Sequence, residues 1–407
     1  MHTPGALPAP QVSRGLIFLL AVAAGLSVAN VYYAQPLLDM LAQDFAISRA
    51  AIGVVVTATQ IGCGLALVFL VPLGDIVDRR LQMTVQLGLL VMALATVATA
   101  RSPVALLAGM LGVGLMGTAM TQGLISYAAS AAAPHERGHV VGATQGGVFL
   151  GVLLARVFAG SISDLAGWRG VYLCSAVLML GLALPLRRGL PVLPPSGNRS
   201  SYVRLLVSMI ALLREERVLR IRGTLSLFMW AAFNIFWSAL VLPLGASPYG
   251  FSHTAIGAFG LVGAVGALSA ARAGRWADRG FGERTSFVAL LLLLLAWWPL
   301  SRMPWSLWML VIGILLLDMG GQALHVTNQS MILRSRPAVH SRLIGIYMLF
   351  YAAGSGLGAI STTAVYAYAG WNGVCLLGAA VSLLALVFWF ATRPKLPPLQ
   401  DIDCFTA

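Results

Sequence analysis

The sequence predicts an all-α membrane protein, with twelve transmembrane helices in two pseudo-symmetric six-helix halves. Three observations carry that prediction. The 407-residue chain is 59% hydrophobic and only 10% charged, against about 25% charged for a soluble domain. Apolar stretches, each long enough to cross a hydrocarbon core of about 30 Å, recur near residues 15–38, 50–74, 81–100, 103–129, 140–163, 168–187, 221–245, 253–274, 285–301, 305–333, 340–367 and 371–392. Finally, the second half of the chain repeats landmarks of the first at an offset of 203 residues.

Segment 1 follows Arg14 and could pass for a secretory leader. Asn30, Tyr32, Tyr33, Gln35 and Pro36 continue it without a cleavage pattern, and eleven spans follow, so it reads as a membrane helix. Segment 2 closes at Pro72-Leu-Gly74-Asp75-Ile-Val-Asp78-Arg79-Arg80, which leads into segment 3. Segment 4 contains Gly112-Val-Gly114-Leu-Met-Gly117, the spelling of a dinucleotide fingerprint. No strand precedes it, so close helix packing is the reading that fits. Segment 5 carries Arg156 inside the span, and segment 6 opens at Ala166-Gly-Trp168-Arg-Gly-Val171. Pro191, Pro194, Pro195 and Gly197 then break the chain. The run from Tyr202 to Arg214 has a basic amphipathic character suited to a membrane surface.

The later segments restate the earlier ones. Ala369-Gly-Trp371-Asn-Gly-Val374, which opens segment 12, matches the opening of segment 6 at 203. At the same offset Asp75 maps onto Asp278, and Gly142 and Gly151 of segment 5 map onto Gly345 and Gly354 of segment 11. Ser48 to Gly53 maps onto Ser252 to Gly257 at 204. Parallel halves of this kind place a solute site near the midplane between them. The expected division is 1–190 for the first half, 191–220 for a cytoplasmic linker, 221–392 for the second half and 393–407 for a cytoplasmic tail.

The net charge of +13 is informative through its distribution. With the N-terminus inside, 21 of the 26 Lys and Arg residues fall on the inner side and four, Arg49, Arg101, Arg169 and Arg302, outside. That asymmetry puts both termini in the cytoplasm. Basicity here reports orientation and contact with anionic lipid, and no nucleic-acid partner is expected. The single lysine, Lys395, lies between Pro394 and Leu396, so there is no Walker loop. ATP-driven pumping by this chain is excluded, which leaves an ion gradient or facilitated diffusion. Cys63, Cys174, Cys375 and Cys404 lack the spacing of a metal site or a disulfide framework, so neither metal nor cofactor is expected. A membrane enzyme or a receptor would need a nucleophile or metal constellation, or an appended soluble domain, and the chain shows none of these. It is not read as an enzyme.

The most informative stretch is Leu315-Leu-Leu-Asp318-Met-Gly-Gly-Gln322-Ala-Leu-His325-Val-Thr-Asn328-Gln329 in segment 10. On a helix, Asp318, Gln322, His325 and Gln329 fall within an arc of roughly 60° over three turns, with Asn328 beside them. An ionisable side chain at mid-bilayer costs on the order of 3 kcal/mol, so it faces a cavity or a partner; a hydrogen-bonded packing contact is the alternative. Arg156 poses the same problem from segment 5. It can pair with an acid, for which Asp318 is the natural partner, bind an anionic part of a substrate, or snorkel to the interface. Trp168, Trp297, Trp298, Trp305, Trp308 and Trp371 cluster near predicted outer ends and read as an interfacial belt.

Twelve segments in two halves, with Gly274-Arg-Trp-Ala-Asp278-Arg279 and its degenerate copy around Asp75, resemble the major facilitator superfamily over nearly the whole chain. More narrowly, Ala29 to Leu38, Pro134 to Gly142, Leu153-Leu-Ala-Arg156 and Leu317 to Gln329 resemble bacterial arabinose and drug efflux permeases. The resemblance implies a central cavity lined by segments 1, 4, 7 and 10. Their polar or aromatic residues are Asn30, Tyr32, Tyr33, Gln35, Gln122, Trp230, Asn234, Trp237, Gln322, Asn328 and Gln329. Two gating loops hold Asp75, Arg79, Arg80, Gly274, Asp278, Arg279 and Arg284, which can latch the halves in one state and release them in another, or simply anchor helix ends.

The sequence also departs from the family pattern. Val71 and Asp78 occupy glycine places of the first loop, and Ile76 stands where a basic residue is common. Segment 4 lacks an arginine near its middle, and Ala155-Arg156 stands in the neighbourhood of the antiporter Gly-Pro signature. The resulting expectation is a monomeric secondary transporter of the bacterial inner membrane, exporting a small organic solute against inward proton flow. Asp318, His325 and Arg156 are the expected proton-coupling groups. Proton symport or uniport for uptake is the alternative.

Overall fold

The computed structural model describes residues 12–133, 136–191, 202–335 and 340–393; the side chains of Asp75 and Asp278 lie outside the described residues, as do residues 192–201 of the expected linker and nearly all of the expected tail. The described residues are helical, in the order α1 (Arg14–Tyr32), α2 (Val54–Leu65), α3 (Arg79–Ala98) and α4 (Pro103–Ala131). Next come α5 and α6, the two arms, 137–166 and 168–189, of Arg137–Gly189. After a linker helix, Tyr202–Glu215, follow α7 (Arg217–Ala239), α8 (His253–Val262, continued by Ala264–Trp276), α9 (Gly282–Leu295) and α10 (Leu307–Ser335). Last are α11 and α12, the arms 340–369 and 371–392 of His340–Thr392.

Among the described residues nine segments are long and apolar enough to cross a bilayer, and two of these, of 53 and 51 residues, are double-length. At 1.5 Å per residue such a segment would be more than twice as long as a membrane is thick. Each is interrupted once, at Gly167 (φ 70°, ψ 174°) and at Gly370 (φ 59°, ψ −158°). These are the glycines of the two Ala-Gly-Trp repeats, in a backbone region that a side chain strongly disfavours. The repeat is therefore the turn between the last two helices of each half. Gly167→Ala or Gly370→Ala is expected to cost on the order of 1–3 kcal/mol, read as a lower thermal midpoint in detergent. Gly181→Ala, where an added Cβ meets nothing within 4 Å, should leave the midpoint unchanged.

Two of the other repeated glycines, Gly151 and Gly354, are places where helices touch through backbone. A Cβ at Gly151 would lie 2.6 Å from Gly25 Cα, and one at Gly354 would lie 2.9 Å from Leu227 Cα. Thus α5 lies against α1 as α11 lies against α7. Gly142 and Gly345 have no such close contact. In the fingerprint-like run of α4, a Cβ at Gly114 would lie 2.8 Å from Thr59 C and one at Gly112 3.1 Å from Ala93 Cβ, so the packing reading holds. Side chains such as Phe18, Val177 and Leu376 point outward from the bundle, as a lipid-facing surface requires.

The tryptophan belt divides. Trp298, Trp305 and Trp308 are exposed at the surface. Trp168, Trp297 and Trp371 are buried and donate to Asp44 Oδ2 (2.8 Å), Ser382 Oγ (3.0 Å) and Leu300 O (2.8 Å). In these three the buried indole N–H finds an acceptor within the protein, so they are internal ties rather than interfacial anchors.

The linker helix buries Leu205, Met209 and Leu212 on one side. Its Ser208 accepts from Arg342 Nη1 at 3.1 Å, while its Tyr202 hydroxyl donates to Phe69 O at 2.9 Å. It marks one face of the bundle, called here the linker face. The hydrogen bonds that join the two halves, among the described residues, lie at mid-depth or on the opposite face. Gly53 N donates to Thr363 Oγ1 (3.1 Å) and Thr57 Oγ1 to Gly356 O (2.9 Å), tying α2 to α11. On the other side of the bundle α5 meets α8, where a Cβ at Gly160 would lie 2.6 Å from His253 C and one at Gly257 2.8 Å from Arg156 C.

Candidate functional site

Between the halves lies a cavity of about 290 Å³, near the lower end of the range of small-molecule sites. Its polar wall comes from α10. Asp318, Gln322, His325 and Gln329, the seam read from the sequence, all line it. Tyr32, Gln122, Trp230, Trp237 and Arg156 complete the expected set that the structure brings together there.

Arg156 is 3% exposed. Its Nε and Nη2 both donate to Gln35 Oε1, at 3.2 and 3.0 Å, and its guanidinium lies 3.9 Å from the centroid of the Trp237 ring. Gln35 is in turn fixed across the halves, its Nε2 donating to Asn234 Oδ1 at 2.9 Å. The expected ion pair with Asp318 is not formed in this structure. Asp318 is 4% exposed, and its Oδ2 has no hydrogen-bond partner. Each side chain lies instead against α8. A Cβ at Gly260 would lie 3.3 Å from Arg156 Cδ, and one at Gly263 2.7 Å from Asp318 Oδ2. The two charged side chains therefore rest on successive turns of one helix.

The other buried arginine behaves differently. Arg222 near the start of α7 is bound by Glu283 and donates to Ser286 Oγ at 2.8 Å. Arg222 thus has its carboxylate, whereas Arg156 has a neutral amide.

His325 is held on both ring nitrogens. The Gln329 amide donates to Nε2 (3.2 Å), leaving Nδ1 to donate to the Tyr347 hydroxyl (2.9 Å).

Five residues expected in the cavity are placed elsewhere. Asn30 donates to Leu26 O at 2.7 Å and accepts from Ser175 Oγ at 2.6 Å, so it ties α1 to α6. Tyr33 packs on Phe158 and Tyr172. Gln35 and Asn234 form the bridge beside Arg156, and Asn328 is buried without lining the cavity. A helix has several buried faces, and residue type alone does not say which one meets the cavity. In the other direction, α5 adds Gln145 and Phe149, α8 adds Gly260 and Gly263, and α11 adds Tyr351. The Tyr351 hydroxyl meets that of Tyr32 at 2.6 Å across the halves. The glycines of segment 8 were legible only as small residues.

The expected gating loops are partly visible. Arg79 donates to Gly74 O (3.1 Å), Ser126 O (2.8 Å) and Ser130 Oγ (2.5 Å), and Arg80 to Arg187 O, all within the first half. Arg284 lies over the Phe281 ring, and Gly274 packs on Val326. Arg279 ends in the turn Ala277–Phe281.

The latch that does join the halves is on the opposite face and was not read from the sequence. His253, the first residue of α8, lies between two acids of the first half. Its Nε2 is 3.1 Å from both Asp39 oxygens and its Nδ1 3.3 Å from Asp164 Oδ1. Asp164 also accepts from the backbone N–H groups of His253 (3.1 Å) and Thr254 (2.8 Å) and from Thr254 Oγ1 (2.6 Å). A carboxylate of α5 thus caps the N-terminus of α8.

This geometry has named relatives. A model of the Major Facilitator Superfamily matches residues 17–273 and 223–402. The chain is 40% identical over 385 residues, 94% of its own length and 97% of the relative's, to the "Uncharacterized transporter YgaY" of Escherichia coli O157:H7. Among solved structures, a bacterial homolog of the human lysosomal transporter Spinster in an inward-facing, unoccupied conformation superposes with a TM-score of 0.76 at 14% identity, covering 95% of this chain and 97% of that one. The human organic anion transporter MFSD10 gives 0.69 at 18%, covering 94% and 100%. At those identities the likeness is one of fold. The family match and the near full-length relative place the chain itself: it belongs to the major facilitator superfamily of membrane transporters.

Proposed function

We propose that the protein works by proton-coupled alternating access, exporting a small organic solute across the bacterial inner membrane as a monomer with both termini in the cytoplasm. The observation that carries this reading is the cavity between the halves, in which a buried arginine and a buried carboxylate face the same space without pairing. A bare charge in such a place costs several kcal/mol unless something compensates it. A proton on Asp318 and a solute in the cavity are two ways of doing so, and exchanging one for the other couples the two flows. The gathering of inter-half ties at mid-depth and the latched face supports a state closed on that side. His325, on the same face of α10, would pass the proton toward the linker face, with Arg156 as the second coupling group. The gating loops would act as the latch of the opposite state.

Flux in vesicles of known orientation tests this reading. With the outside acidic relative to the inside, an efflux exchanger moves solute toward the acidic side against its gradient, and collapse of the pH difference abolishes the effect. Uptake that follows the proton would replace the reading with symport. Reporter fusions after Arg188 and after Arg393 are expected to read cytoplasmic, and one near Arg302 periplasmic; reversal at any one site breaks the assigned orientation.

A further inference from the structure

The cavity's polar groups are sorted by type, and the sorting specifies a ligand. On α10 there are acceptors without donors. Asp318 Oδ2 and Gln322 Oε1, one helical turn apart, are both buried and make no hydrogen bond. Beside α5 there is a cation without an anion. Arg156 spends Nε and Nη2 on one amide oxygen and makes no bond through Nη1 among the described residues. The contacts with Gly260 and Gly263 set the Arg156 stem and the Asp318 carboxylate against neighbouring turns of α8, and no ion pair closes between them. Both line the one cavity, where a single small molecule can reach them together. Elsewhere the wall is mainly apolar and aromatic, from Val28, Leu67, Phe149, Phe233 and Met348 among others, with neutral polar groups at Thr118, Thr121, Gln122 and Gln145.

We propose that the cavity takes a small zwitterion with an apolar body, its carboxylate seated on Arg156 and its ammonium on Asp318 and Gln322. This rests on the transport reading given above. A simple anion would satisfy Arg156 and leave Asp318 without a donor. A simple cation would leave Arg156 facing only Gln35 and the rings. The zwitterion compensates both buried charges and brings no net charge of its own into the site. It also explains the exchange. Proton and ammonium compete for one carboxylate, and each excludes the other.

The test uses matched probes on the purified full-length protein in lipid nanodiscs. L-phenylalanine, 2-phenylethylamine and 3-phenylpropionate share a body and differ in which charges they carry; L-leucine, isoamylamine and 4-methylpentanoate form a second, smaller set. In at least one set the zwitterion is expected to bind roughly ten- to a hundredfold more tightly than either singly charged partner, since hydrogen bonds to charged groups are worth that factor. Asp318→Asn should remove most of its advantage over the anion, and Arg156→Gln most of its advantage over the cation. Gln322→Leu is a milder variant should those two fold poorly, and it should weaken the zwitterion and the cation but not the anion. The proposal is overturned if a singly charged probe binds as tightly as its zwitterion, if no probe of either set binds, or if the preference survives Asp318→Asn and Gln322→Leu. Flux of the bound probe in proteoliposomes separates this from the transport reading. Binding of the zwitterion without its movement would defeat transport and leave the class standing. Binding and movement of a singly charged probe alone would do the reverse.

Discussion

Asp318→Asn is expected to bring gradient-driven accumulation down to equilibrium while leaving exchange of solute across the membrane measurable. With one pH unit imposed, a one-for-one exchanger can reach about tenfold accumulation, since each decade corresponds to about 1.4 kcal/mol; the variant should reach onefold. The amide keeps the size of the carboxyl and its place against Gly263 and Gly266 of α8, so cavity shape is retained. What it loses is the ability to alternate between a proton and a cationic partner. Counterflow in vesicles without a pH difference reads exchange, and the same vesicles with one read accumulation. If Asp318→Asn still accumulates solute with the pH dependence of the wild type, the coupling site lies elsewhere in the molecule. Within the cavity Arg156 and His325 would then be the next groups to replace.

Asp164→Ala is expected to shift the protein toward the state open on the latched face. Four donors of α8 converge on this one carboxylate, two of them backbone groups of a helix N-terminus, where loss of a cap costs about 0.5–2 kcal/mol. The carboxylate is partly exposed, with 27% of the side chain accessible, so water replaces part of what is lost. A net shift of about 2 kcal/mol, or roughly thirtyfold in the balance of closed and open forms, follows. Val241 is buried beneath this face, at 1% exposure. In a chain whose own cysteines have been replaced, Val241→Cys should react with an impermeant maleimide roughly ten- to thirtyfold faster when Asp164 is Ala. Equal rates would mean that the helix crossings at Gly160, Gly257 and Gly53 hold the face shut without the latch. Asp39→Ala, which removes only the second contact of His253, should give a smaller shift in the same direction.

The sequence by itself determined the class of fold, because burial in lipid writes itself in composition: every span must be apolar and helical to satisfy its backbone, whatever its neighbours are. It determined the repeat, since Gly167 and Gly370 must be glycine for local backbone reasons, and the polar seam from Asp318 to Gln329, since helical periodicity fixes which residues of one helix share a face. Tertiary structure alone decided which faces meet. Asn30 and Tyr32 are two residues apart in the same helix, yet one turns to Ser175 and the other to Tyr351. Asp39, Asp164 and His253 are scattered along the chain and become a latch only where α5 crosses α8. Arg156 and Asp318 were legible as two expensive charges. That they share a cavity without pairing was decided by packing: α8 comes close enough at Gly260 and Gly263 for both side chains to lie against it, an arrangement no pattern along the chain encodes.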